Sequence, residues 1–241
     1  MTSWRGALVL FQHEMRRSWV GLIVSILLFL YVSLFTFPLL PVYEEPNPAF
    51  SFDAWLGDFF YLSLIPCLGF LMGQHSFKFW KRDYLKEKIA YWRTMPIQMS
   101  SIVIFRIIQM LVVFLIVGLV FFASQYLVSG GLRQALSLSE YLGFLLIWLG
   151  YGLVVASTYI YFEMAIGGRI YLIVCFLYIF IYAFAVLLLW LNHFSVLEYT
   201  LNAARQHKLL LTICMPVAGI LSILVIGWLV KKRLDVSNLA Q

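Results

Sequence analysis

IYLIVCFLYIFIYAFAVLLLWL, residues 170–191, contains no Lys, Arg, Asp or Glu. A helix rises 1.5 Å per residue, so about 20 apolar residues cross the roughly 30 Å hydrocarbon core of a bilayer. Working outward, the pattern repeats. Apolar stretches of the same kind occupy residues 19–40, 59–77, 102–128, 142–162 and 209–230, and six crossings are expected. The chain is 63% hydrophobic and 12% charged, outside the range of water-soluble domains. This composition specifies an all-α polytopic membrane protein, a single transmembrane domain over residues 1–241.

The charges give the expected orientation. All of the 17 Lys and Arg residues except Arg133, Arg205 and Lys208 fall on one side when loops alternate across the membrane. Lys and Arg accumulate in cytoplasmic loops, so both termini are expected in the cytoplasm of a multi-pass cell-membrane protein. The net charge of +6 is thereby explained without nucleic acid as a partner. Glu44, Glu45, Asp53, Asp58, Glu140 and Glu198 fall on the outer side. Cys67, Cys175 and Cys214 lie inside apolar stretches and are expected to pack as small hydrophobes. No cleavable signal peptide is expected. The N-terminal segment, residues 1–18, and the residue after it carry Trp4, Leu8, Phe11, Met15 and Trp19 at helical spacing, with Arg5, Glu14, Arg16 and Arg17 elsewhere. That pattern predicts a helix in the cytoplasmic interface before the first crossing.

Several chemistries have no sequence support. There is no GxxxxGK[ST] phosphate loop, no HExxH and no GxSxG elbow. Gly130–Gly131 and Gly167–Gly168 lack the following Lys, and His13, His75, His193 and His207 are scattered. Ion-coupled carriers place ionisable groups near the bilayer centre. Here Asp58 and Glu163 sit at the ends of crossings, and Arg106 lies one turn into the third, where it is expected to snorkel to the interface. Pro66 and Pro216 are expected to kink crossings two and six, and Gly69 with Gly73 forms a GxxxG close-approach motif.

The largest cytoplasmic loop, 78–101, reads KFWKRDYLKEKIAYWRTMPIQMSS. Leu85, Ile89 and Trp92 share one helical face, surrounded by Lys81, Lys86, Lys88 and Arg93. Pro96 ends that helix, and Ser100 or Ser101 is expected to cap the next. A basic amphipathic helix suits either anionic lipid or a docking partner.

With its amphipathic N-terminal segment carrying Glu14 and Arg17, six crossings with both ends inside, and the Trp92-Arg93-Thr94-Met95-Pro96-Ile97 stretch before crossing three, the chain resembles the permease subunit of an ABC transporter of the type-2 export class. The resemblance implies a coupling helix at residues 82–93, contacting a separate ATPase through Leu85, Ile89, Trp92 and Arg93. It implies a second ATPase contact at the turn 163–169, through Glu163 and Arg169. It also implies pairing with a second copy or a related permease, and short outer helices in the segment 192–207. No cofactor is expected on this chain, with ATP-Mg held by the partner ATPase, and the chain is not expected to be an enzyme by itself. The expected function is export of an amphipathic peptide, antibiotic or lipid-like substrate. The rival readings are an intramembrane enzyme, or an antibiotic-binding immunity protein that does not transport.

Overall fold

The computed structural model describes residues 3–40, 52–72, 98–166 and 168–238, with the side chains of 168, 169 and 235–238 outside that description. Every regular element among the described residues is helical. Helix α1 spans Ser3–Thr36 and runs into a 3-10 turn, Phe37–Leu39. Helix α2 spans Phe52–Leu64 and continues as a 3-10 segment, Ile65–Gly69. Then follow α3 (Met99–Val128), α4 (Gly130–Ala135) and α5 (Leu138–Tyr161), the last ending in a π turn, Phe162–Ile166. Helices α6 (Gly168–Leu191), α7 (Val196–Arg205) and α8 (Leu209–Asn238) complete the chain.

Five of these are long and apolar enough to cross a membrane: Ser3–Leu39, Met99–Val128, Leu138–Ile166, Ile170–Leu191 and Leu209–Leu234. The stretch expected as a second crossing at 59–77 differs. Its helix starts earlier, at Phe52, tightens to 3-10 at Ile65 and leaves helical geometry at Phe70. Pro66 is the cause. It has no N–H to donate to the carbonyl four residues back, that of Leu62. The Tyr151 hydroxyl on α5 donates to this carbonyl instead, at 2.8 Å. Past the break, Ser25 of α1 secures the backbone: its Oγ accepts from the Met72 N–H at 2.8 Å and donates to the Phe70 carbonyl at 3.3 Å. A backbone break among apolar helices survives only where other groups satisfy it.

Side-chain contacts fix the helix directions. Ser3 meets Gln98, Phe29 meets Phe121 and Ser33 meets Ser124, so α1 and α3 are parallel. Tyr141 bonds the Phe122 carbonyl while Arg106 reaches Glu163, so α3 and α5 are antiparallel. Gly150 lies against Met215 and Ser157 bonds Ser222, so α5 and α8 are parallel. One end of the bundle therefore gathers the start of α1, the start of α3 and the ends of α5 and α8. That end carries Arg5, Arg16, Arg17, Arg106, Lys231, Lys232 and Arg233, and the opposite end carries Arg133, Arg205 and Lys208.

The 3-10 segment is a wedge between α3 and α5. Ile65 and Leu68 are fully buried, Gly69 abuts Met110 of α3, and Gly152 of α5 receives Ile65 and Phe114. Helix α5 lies at the centre, with 61% of its most apolar window buried, against 6% for α6 at the periphery. The expected N-terminal helix is present and meets the first crossing at a kink. It is the first half of α1, set off by non-helical backbone at Ser18 (φ −105°, ψ 16°). Its packed face is Gly6, Ala7, Leu10 and Glu14, while Trp4, Leu8 and Trp19 are exposed. Helix α3 starts at Met99 with Gln98 at its cap position. Ser100 does not cap it, because its hydroxyl donates to Ser3 Oγ at 3.2 Å.

Candidate functional site

At the basic end, one residue too many in the last turn of α5 widens it into a π turn. Such insertions turn a side chain away from its α-helical direction and recur at functional sites. Glu163 lies in this turn and is buried. Arg106 of α3 donates to a single oxygen of it, Oε2, from Nη2 at 2.7 Å and from Nε at 3.0 Å. Its third nitrogen, Nη1, donates to Gln109 Oε1 at 3.0 Å. The guanidinium also lies 5.9 Å from the centre of the Phe70 ring, at the break after the wedge. Only 14% of the Arg106 side chain and 7% of the Glu163 side chain is exposed. Arg106 is thus drawn inward to an acidic partner rather than snorkelling outward. The desolvated guanidinium needs an anion more than it gains from a stretched path to water.

At the opposite end Asp58 of α2 is buried and faces the start of α7. Its Oδ1 accepts from the Leu197 N–H at 2.8 Å and from Ser195 Oγ at 3.2 Å, and its Oδ2 accepts from the Val196 N–H at 2.9 Å. The free amides and partial positive charge of a helix start favour a carboxylate there. Both acidic groups at the ends of expected crossings are therefore engaged within the chain.

Near the Asp58 end, polar contacts cross the bundle from helix to helix. Tyr61 donates to Gln125 Oε1 at 2.7 Å, and Gln125 Nε2 donates to Thr36 Oγ1 at 2.8 Å, joining α2, α3 and α1. A row of tyrosines lies where α5 meets α6. Tyr178 bonds Thr158 at 3.1 Å, and its ring packs edge-on to Tyr159 at 5.0 Å. The chemistry available is hydrogen bonding and ring contact. Ser157, the hydroxyl inside α5 that an intramembrane enzyme would need as nucleophile, donates to the Val154 carbonyl and to Ser222, and neither is a base. Among the described residues no group of three His, Cys, Asp or Glu side chains is placed to hold a metal.

Of the residues expected to meet an ATPase, Leu85, Ile89, Trp92 and Arg93 lie outside the described residues, as does the Arg169 side chain. Glu163 is described, buried in its ion pair. Sequence reading missed Ser25, Tyr151, Gln125 and Gly150. Each is a polar or small residue inside an apolar stretch, which was the available signal.

No family model, curated protein or solved structure matches the chain.

Proposed function

We propose that the chain is the permease subunit of an ATP-driven exporter, resembling the type-2 class, embedded in the cell membrane with six crossings and cytoplasmic termini. It works as a dimer with a second copy or a related permease. A separate ATPase supplies the energy, and the cargo is an amphipathic peptide, antibiotic or lipid-like molecule. The observation that carries this reading is the engagement of Asp58 by the α7 amides and of Glu163 by Arg106. An ion-coupled carrier needs an acidic group free to exchange its ion. With both groups committed, an external source of work is favoured. The basic end gathered at the starts of α1 and α3 supports a cytoplasmic docking face. The short helix α7 between α6 and α8 agrees with the outer helices that the resemblance implies.

The test is purification of the full chain from its native membrane. A bound ATPase that is stimulated by the complex is expected. Ile89→Asp should release that ATPase while the permease stays in the membrane, because buried apolar anchors dominate such contacts. Substrate movement driven by an ion gradient alone, with no ATPase present, would overturn the proposal. Substrate binding without ATPase or transport would favour the immunity reading.

A further inference from the structure

Three ties meet at the basic end of the bundle. Ser3 at the start of α1 donates to Gln98 at 2.6 Å, Ser100 donates to Ser3 at 3.2 Å, and Arg106 holds Glu163. Glu163 belongs to the π turn that leads into α6. The connection between residues 72 and 98 therefore joins two unlike structures. On its far side is α3, a continuous 30-residue helix. On its near side is non-helical backbone at Phe70–Met72, held to α1 by Ser25. A helix carries a displacement along its axis, whereas a non-helical joint takes it up as dihedral change. A push arriving through this connection reaches the bundle along α3.

What α3 grips next is Glu163. The two donors that converge on Oε2 leave the carboxylate little freedom to slide, unlike an apolar contact. Poor solvation of both groups disfavours their separation, so they travel together. We propose that Arg106 and Glu163 form a brace that makes the first part of α3 and the α5–α6 turn move as one body, delivering motion from the 73–97 connection to α5 and α6 while α2 lags at its break. Both are positioning residues. The inference deepens the exporter reading and rests on it for the source of the push. The brace itself belongs to this chain alone.

The experiment uses the full chain in lipid nanodiscs, with its three cysteines replaced and spin labels at Met99 and Ala165 across the brace. A second pair, at Leu127 and Leu138, reports the opposite end of α3 and α5. A narrow distance distribution is expected for both pairs in the parent. Glu163→Gln, nearly isosteric, and Arg106→Lys, which keeps charge but loses the fork, should each broaden the 99–165 distribution about twofold and leave the 127–138 pair unchanged. The exchanged pair Arg106→Glu with Glu163→Arg should restore the narrow distribution. Unchanged 99–165 width in both single variants would overturn the brace, and so would equal broadening of both pairs, which marks general loosening. In the complex with the copurified ATPase, Glu163→Gln should lower transport per ATP hydrolysed roughly tenfold with the ATPase still bound. Failure of any ATPase to copurify with the parent counts against the exporter reading, and the distances still decide the brace.

Discussion

Loss of the Asp58 side chain strands three partners at once. Asp58→Ala leaves the Val196 and Leu197 amides and the Ser195 hydroxyl without their acceptor. Each unsatisfied buried group costs on the order of 1–3 kcal/mol. A clear fall in melting temperature of the detergent-solubilised protein is expected, with Asp58→Asn intermediate because one oxygen acceptor remains. An unshifted Asp58→Ala melting curve would refute the capping role. The opposite sign is expected at His207, which follows α7 with φ 47°. Its N–H bonds the Ala204 carbonyl, and Lys208 N–H returns to Ala203, closing the helix end in the manner that favours glycine. His207→Gly should stabilise by up to about 1 kcal/mol, since the left-handed conformation strains a side chain but not glycine. Chemical denaturation monitored by tryptophan fluorescence would measure it. These sites also mark what a sequence hides. Pro66 announced a disturbance, but the Tyr151 hydroxyl that repairs it lies 85 positions away, and nothing beside Pro66 in the sequence points to it.

Helix pairs in lipid are held by close approach, since apolar surface alone drives no association there. The α5–α8 pair shows where. A Cβ on Gly150 would stand 2.3 Å from the Met215 carbonyl carbon and 2.5 Å from Pro216 N, all backbone that cannot turn aside. Gly150→Ala should therefore push the two helices apart and cost roughly 1–3 kcal/mol or more. Gly130→Ala, with nothing within 4 Å, should leave stability within about 0.5 kcal/mol. Parallel melting curves for the two variants would decide the comparison, and equal effects would deny Gly150 its role. Of the six stretches expected to cross, five correspond to helices long and apolar enough to do so among the described residues, and these were legible because length and missing charge are strong signals. The helix contacts were less so. The visible Gly69/Gly73 motif pointed to a close helix approach, but Gly69 receives the Met110 and Phe114 side chains rather than helix backbone. The tight contact joins Gly150 and Gly219, on different helices, so no short motif spells it. Likewise Glu163 read as a residue at the end of a crossing, because neither the π turn that holds it nor its pairing with Arg106 leaves a mark in the sequence.

Among the described residues the charge is polarised, with Arg5, Arg16, Arg17, Arg106, Lys231, Lys232 and Arg233 at the end shared by the starts of α1 and α3 and the ends of α5 and α8, against Arg133, Arg205 and Lys208 at the other. Single cysteines at Ser137 and Gln206 should accordingly react with an impermeant maleimide on one side of the membrane, and one at Lys232 only on the other. Labelling of all three from the same side would break the arrangement. Tolerance to substitution should be just as uneven, since α6 is peripheral and Phe180 on it is 71% exposed. Phe180→Leu should leave expression and melting unchanged, whereas Phe114→Ala in the centre should cost about 3–5 kcal/mol. The break after α2 bears finally on biogenesis. The 52–69 segment is short for a crossing and bears Asp53 and Asp58, so it partitions poorly into lipid as it leaves the ribosome. Its fit depends on Ser25, which has already been synthesised, and on Tyr151, which has not. It should therefore enter the bilayer late or as a hairpin with α1, waiting beside the translocon until α5 arrives. In a glycosylation-mapping assay, chains truncated before residue 138 should leave this segment incompletely inserted, and extension past residue 166 should complete it.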